Sequence, residues 1–310
     1  MSAKENVAIV TAPPVELTLA QAWGVLVKPR ITAMVGFAAF VGGLLASGSG
    51  ANLLGLAEAS VWIGLVGMAS SIFNQLLERD TDARMVRTAR RPLVTGRVRA
   101  RDAIWGGTLL TVAGVLGLAL RFNTLAALLT LATMVAYVLV YTPLKRVSSL
   151  NTAVGAIPGA MPPLLGYVAV AGAAGGWGWY LFAILFAWQF PHFLAIAWIY
   201  REDYARAGLK MLPAMPRTEG MAGRQALLYS LALLPISLLP ALAGAAGLFY
   251  VVVALTLGLA YVAASAAFAL RESRGRARTV VIVSLIYVPA LYSLTLMDPL
   301  VRAIGARGSL

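Results

Sequence analysis

Residues 74–92, NQLLERDTDARMVRTARRP, follow a long apolar run with three carboxylates (Glu78, Asp80, Asp82) and five arginines (Arg79, Arg84, Arg87, Arg90, Arg91). Charges are penalised in hydrocarbon unless paired or hydrated. Arginines at a membrane boundary have an ordinary role as topology signals, whereas carboxylates contribute little to topology. Asn74, Glu78 and Asp82 are spaced i, i+4, i+8 and form one row if the helix continues. Asp80 points away from that row unless the helix unwinds near Arg79, and it joins the candidate metal ligands only in that case. An amide with two carboxylates is a hard oxygen set suited to Mg²⁺, which binds one or two carboxylates together with waters and phosphate oxygens. The downstream arginines, with Lys145 in YTPLKR (141–146), have the chemistry to grip a diphosphate.

The single histidine, His192, sits in WQFPHFLAIAWIY (188–200), about two turns before a second acidic stretch. Its bland reading is a hydrogen-bonded packing residue beside Pro191. Neutral imidazole is also a good iron ligand or proton acceptor. Trp188, Phe190, Phe193, Trp198 and Tyr200 read either as an interfacial belt or as cavity walls whose π faces stabilise a carbocation.

These groups must be positioned by membrane-spanning helices. The 310-residue chain is 60% hydrophobic and 12% charged, about half the charged fraction of a soluble domain. It has no cysteine, which excludes thiolate catalysis, a Cys-based metal or iron–sulfur site, disulfides and CxxCH haem attachment. Residues 1–20 lack the apolar core and cleavage site of a signal peptide. LAQAWGVLVKPR (19–30) reads as a short amphipathic segment on the membrane surface.

Nine spans are predicted at 31–48, 53–77, 102–120, 123–142, 150–172, 177–199, 225–247, 248–270 and 279–297. Only AGAAG (243–247) marks the seventh boundary. With the N-terminus in the cytoplasm, all but three of the 25 basic residues (Arg121, Arg302, Arg307) fall in cytoplasmic segments. The net charge of +13 therefore reads as topology, not as nucleic-acid binding. The expected organisation is a cytoplasmic segment 1–30 and one transmembrane domain 31–310, all-α, N-terminus in and C-terminus out. Its charged loops 78–101 and 200–224 lie four spans apart and share an echo, RDTDAR (79–84) against REDYAR (201–206), which suggests two related four-helix units of the same orientation.

The Asn74-xxx-Glu78-xxx-Asp82 row resembles the NxxxDxxxD motif of the UbiA-type intramembrane prenyltransferases, with Glu in place of the usual first Asp. Within that superfamily the likeness is to the protohaem IX farnesyltransferases, or haem O synthases. It is carried by NQLLERDTDARMVRTARRPL (74–93), YTPLKRVSSLN (141–151), GAIPGAMPPLLGYVA (155–169) and PHFLAIAWIYREDYARAGLKMLP (191–213). One departure matters. Many relatives carry DxxxD in the second loop, but here Asp203 is followed four residues later by Ala207, so the second loop offers Asp203 alone, with Lys210 as a diphosphate contact.

The resemblance implies transfer of the farnesyl group of farnesyl diphosphate to a vinyl group of haem B, with water addition to give haem O. Haem B is then a substrate. Mg²⁺ would be held by Asn74, Glu78 and Asp82, with Arg87, Arg90, Arg91 and Lys145 on the diphosphate and His192 toward haem. It also implies a lipid bilayer location, the inner membrane if the source is bacterial, and a downstream haem-modifying enzyme or terminal oxidase as partner. The competing readings are a prenyltransferase of an aromatic or quinone precursor, a polytopic transporter, and a non-catalytic haem-binding protein. A transporter fits poorly, because its site would lie near the midplane and often within inverted repeats, whereas these acids gather at one face.

Overall fold

The computed structural model describes residues 17–298. Among them the fold is entirely helical, and nine helices are long and apolar enough to cross a bilayer. A short helix α1 (Leu19–Val27) precedes the spans α2 (Pro29–Ser47) and α3 (Leu53–Leu77). A single turn α4 (Arg79–Asp82) is followed by α5 (Ala100–Arg121), α6 (Thr124–Leu144), α7 (Asn151–Ala171) and α8 (Gly176–Ile199). The six-residue α9 (Arg201–Arg206) leads to α10 (Met221–Leu242), α11 (Leu248–Leu270) and α12 (Arg274–Thr295). Each predicted span is present, with ends displaced by a few residues. Lys4, Arg302, Arg307 and the expected C-terminal side lie outside the described residues.

The helix ends are set by side chains that supply the missing backbone partners. Thr18 and Gln21 form a reciprocal capping box on α1. Asn123 accepts from the Ala126 N–H at 2.8 Å, and its amide donates to the Val168 and Ala169 carbonyls at the end of α7, so one residue caps two helices. The weakly marked boundary at 243–247 is a tight turn. Gly244 takes φ +72°, and Asp298 accepts from the Gly247 N–H at 2.9 Å and from the Tyr250 N–H at 3.2 Å to start α11.

α7 and α8 form the centre: 61% and 56% of their apolar windows are buried, against 22–39% for the other spans, which face lipid. α2 crosses α7 backbone to backbone. A Cβ on Gly42 would overlap the Pro163 carbonyl oxygen, and one on Gly166 would overlap that of Ala39. Small residues at such crossings let helices gain van der Waals contact that hydrophobicity cannot supply in lipid.

The two halves repeat one arrangement. α3 packs between α2 and α5 as α8 packs between α7 and α10, and each of the two ends in a short acidic helix, α4 or α9. The RDTDAR and REDYAR echo is thus the same turn of chain at equivalent places. Met85, Ala197, Ala207, Leu209 and Met211 pack the two acidic loops against each other.

Candidate active site

α3 ends at Leu77 because the chain bends at Glu78 (φ −89°, ψ 2°) before α4 begins. Arg146 donates to the freed Leu77 carbonyl at 2.9 Å. The bend keeps Asn74, Glu78 and Asp82 on one side without a continuous helix, since the Asp82 N–H still reaches the Glu78 carbonyl at 2.7 Å. The Thr81 hydroxyl donates to the Glu78 carbonyl at 2.8 Å, and that of Thr88 to the Asp82 carbonyl at 2.9 Å, which pins the loop.

These three residues line a cavity of about 190 Å³ together with Lys28, Arg87, Arg91 and Lys145. Arg91 Nη1 lies 2.5 Å from Asp82 Oδ2, and Lys145 Nζ lies 2.8 Å from Glu78 Oε1. The Asn74 amide donates to Thr142 Oγ1 at 3.0 Å, which leaves its carbonyl oxygen available to a cation. Asp82 Oδ1 is buried and has no hydrogen-bond partner among the described residues. Buried polar atoms are nearly always satisfied. An orphaned carboxylate oxygen beside a second carboxylate and an amide therefore fits a hard cation such as Mg²⁺.

Four cationic side chains against two carboxylates leave the lining with a positive surplus, as an anionic ligand requires. Burial pushes the Asp82 carboxyl above the usual carboxylate range despite Arg91. Burial lowers Lys28 to about 8, helped by the charges of Arg91 and Lys145. At Lys145 burial also disfavours the charge, but Tyr141, Glu78 and Tyr137 outweigh it and the amine is held above the ordinary lysine range.

The apolar wall comes from α6 and α8. α6 widens into a π-type turn over Ala136–Tyr141, just before Pro143, which lacks an N–H. The Thr142 hydroxyl donates to the Tyr137 carbonyl at 2.9 Å. Tyr137 and Tyr141 line the cavity, and Lys145 Nζ lies 4.4 Å from the Tyr141 ring centroid. Phe193 and Ile196 of α8, with Tyr204, Leu209 and Met211 from the second acidic loop, complete the wall.

Several sequence candidates lie outside this cavity. Asp80, Arg90 and Lys210 are exposed and do not line it. Asp80 sits on the far side of α4, because the unwinding at Glu78 is one bend and the chain resumes helical geometry at once. Lys210 contributes backbone instead: its N–H donates to the Lys145 carbonyl at 2.7 Å and its own carbonyl accepts from the Asn151 amide at 3.0 Å. Asp203 accepts from the Val86 N–H at 3.4 Å and from Arg206 at 3.0 Å, so it ties the second loop to the first.

Of the candidate aromatics only Phe193 lines the cavity. Tyr200 lies under Arg87, 5.0 Å from guanidinium carbon to ring centroid. Phe190 stacks on Tyr229, and Trp198 donates to Glu272 at 2.8 Å. His192 packs between α8 and α12, stacked on Trp188 with its Nδ1 2.7 Å from Ser284 Oγ.

Sequence reasoning missed Lys28. It occupies the elbow between α1 and α2 in left-handed geometry (φ +48°), a conformation that a non-glycine residue adopts only under local constraint. The Gln75 amide pins that elbow by donating to the Leu26 carbonyl at 2.9 Å. In the sequence, Lys28 is one more basic residue at a membrane boundary, and nothing in its spacing ties it to Glu78.

The sequence profile of the UbiA prenyltransferase family matches residues 35–288. A protoheme IX farnesyltransferase of Solibacter usitatus is 43% identical over 291 residues, covering 88% of this chain and 97% of that protein. One of Koribacter versatilis is 40% identical over 283 residues, covering 88% and 91%. Among solved structures, a UbiA homolog from Aeropyrum pernix superposes with a TM-score of 0.70 at 20% identity, covering 88% of this chain and 98% of its own. A UbiA homolog from Archaeoglobus fulgidus bound to GPP and Mg²⁺ gives 0.64 at 18%, covering 88% and 99%. The acidic row, the helical order and these matches agree: the chain belongs to the UbiA prenyltransferase family of membrane enzymes.

Proposed function

We propose that this prenyltransferase moves the farnesyl group of farnesyl diphosphate onto a vinyl group of protohaem IX, with addition of water, to give haem O and diphosphate. The observation that carries the donor half is the orphaned Asp82 Oδ1 in a cavity ringed by Lys28, Arg87, Arg91 and Lys145. The acceptor half rests on the names of relatives near 40% identity that this chain matches along nearly their whole length.

Asn74, Glu78 and Asp82 would hold Mg²⁺, which supplies charge neutralisation on the diphosphate as it leaves. The four cations bind and orient the same group. The allylic C–O bond breaks and the electron pair departs with the diphosphate. The farnesyl carbon bonds to the terminal vinyl carbon, and water adds to the carbon next to the porphyrin and releases a proton. Tyr137, Tyr141 and Phe193 face the developing cation with aromatic surface and exclude bulk water. Asp203 positions the first loop through Val86.

The reading places residues 1–30 and both acidic loops on the cytoplasmic side of a multi-pass membrane domain spanning 31–310, the inner membrane in a bacterium. Haem O would pass to a haem-modifying enzyme or terminal oxidase. The test is an assay of detergent-solubilised protein with haem B and farnesyl diphosphate, with and without Mg²⁺, read by pigment mass. A Mg²⁺-dependent gain of one farnesyl unit plus water is expected. Transfer to an aromatic acid instead of haem would overturn the acceptor and keep the fold.

A further inference from the structure

The two halves end their central helices in the same way. α3 stops at Leu77 and α8 at Ile199, and the next residue bends the chain in both: Glu78 (φ −89°, ψ 2°) and Tyr200 (φ −108°, ψ 20°). One turn on, the Asp82 N–H donates to the Glu78 carbonyl at 2.7 Å, and the Tyr204 N–H donates to the Tyr200 carbonyl at 3.1 Å. The repeat therefore sets Ile196, Tyr200 and Tyr204 against Asn74, Glu78 and Asp82. Asp203 falls opposite Thr81, and both serve as loop pins.

The second row meets the same cavity with different chemistry. Ile196 and Tyr204 line it, as Asn74 and Asp82 do. Tyr200 does not, but its ring holds Arg87, which lines the cavity and makes no ion pair among the described residues. Glu78, by contrast, holds Lys145 as an ion pair. Carboxylates at 200 and 204 would cancel the positive surplus of the lining, whereas two tyrosines leave it intact. The Tyr204 ring packs against the cluster of Met85, Leu209 and Met211, and its hydroxyl has no hydrogen-bond partner among the described residues. Burial raises the pKa of that hydroxyl against the pull of Arg87 and Lys145, so it keeps its proton at neutral pH and is a donor.

We infer that Tyr204 is a further catalytic residue of the prenyl transfer, its O–H donating a hydrogen bond to the diphosphate. The second half then supplies a neutral donor where the first supplies a metal ligand. The inference rests on the cavity being a prenyl-diphosphate site and is independent of the acceptor. As the allylic C–O bond breaks, the electron pair passes to the diphosphate and the hydrogen bond strengthens with that charge. The phenol proton stays on its own oxygen.

The test compares the purified full chain with Tyr204→Phe, which removes one oxygen and keeps the packed ring. Inorganic diphosphate is titrated calorimetrically at saturating Mg²⁺, and farnesyl transfer to haem B is followed across a Mg²⁺ series, with thermal unfolding of the same preparations. The variant is expected to melt as wild type does, to bind diphosphate about tenfold more weakly and to transfer about 10–100-fold more slowly, the loss of one hydrogen bond to a charged group. Its Mg²⁺ midpoint should not move. Wild-type diphosphate affinity or wild-type turnover in the variant would overturn the inference. So would a defect that excess Mg²⁺ abolishes, which makes the oxygen a metal ligand, or one matched by a fall in melting temperature, which returns Tyr204 to packing. Wild type that binds diphosphate without transfer to haem overturns only the acceptor, and the affinity of Tyr204→Phe then decides alone. Wild type that binds no diphosphate overturns the donor reading and this inference with it.

Discussion

Replacing Asp82 by Asn separates chemistry from stability, because burial and partnership act on this residue in opposite directions. Its side chain is 1% exposed, and Arg91 approaches at 2.5 Å. Were the ion pair dominant, the carboxyl would sit below the ordinary range, yet burial outweighs Arg91 and raises it. A carboxylic acid whose folded pKa is raised is a net cost to the folded state above that pKa, so removing its charge does not weaken the fold. Arg91 keeps 16% of its side chain exposed and can reach water, and the Asn carbonyl still accepts its N–H. The expected stability change is within about 1 kcal/mol, a Tm shift of about 3 °C or less. The rate should fall by about 10²–10³, as for the loss of one charge-stabilising group, or about 3–4 kcal/mol. The assay is prenyl transfer across a Mg²⁺ titration, with thermal unfolding of the same preparation. Near-wild-type turnover at saturating Mg²⁺ would remove Asp82 from the metal site. A fall in Tm matching the loss of activity would reassign it to structure.

Three further outcomes are expected. Lys145→Met leaves Glu78, 9% exposed, without its cation and should destabilise the fold by about 3–5 kcal/mol; adding Glu78→Gln should restore the melting temperature without restoring turnover, and failure of that rescue would break the pairing argument. Lys28 loses its proton as pH rises through about 8. KM for the prenyl diphosphate should climb above that pH in wild type and be flat in Lys28→Met. The unfolded lysine holds its proton to about 10.4, so this group makes stability rise with pH between the two values. Gly42→Ala drives a methyl into the Pro163 carbonyl, which cannot swing aside, and should cost at least about 3 kcal/mol; Gly24→Ala, with nothing within 4 Å, should be neutral or slightly stabilising by helix propensity. Equal melting temperatures for the two variants would contradict the crossing geometry.

The spans, their order and the acidic row were legible in one dimension because each is a local property. Hydrophobic run length selects spans in lipid, where every backbone group must bond internally, and i, i+4, i+8 spacing survives a single bend at Glu78. The repeat was legible too, since RDTDAR and REDYAR keep their residue types where both loops leave equivalent helices. Charge sign was readable but its use was not. Arg87, Arg91 and Lys145 reach the cavity while Arg90 and Lys210 do not, and composition cannot rank five similar cations spread over three loops at membrane boundaries. Lys28 lies 50 residues before Glu78, and only the elbow pinned by Gln75 carries it there. Likewise the partner of the His192 Nδ1 is Ser284, 92 residues away. Local pattern thus determined the helices and the metal-type row. The cation ring, the aromatic wall and the His192–Ser284 contact were decided by helix packing, because each is a meeting of side chains from elements that sequence spacing leaves independent.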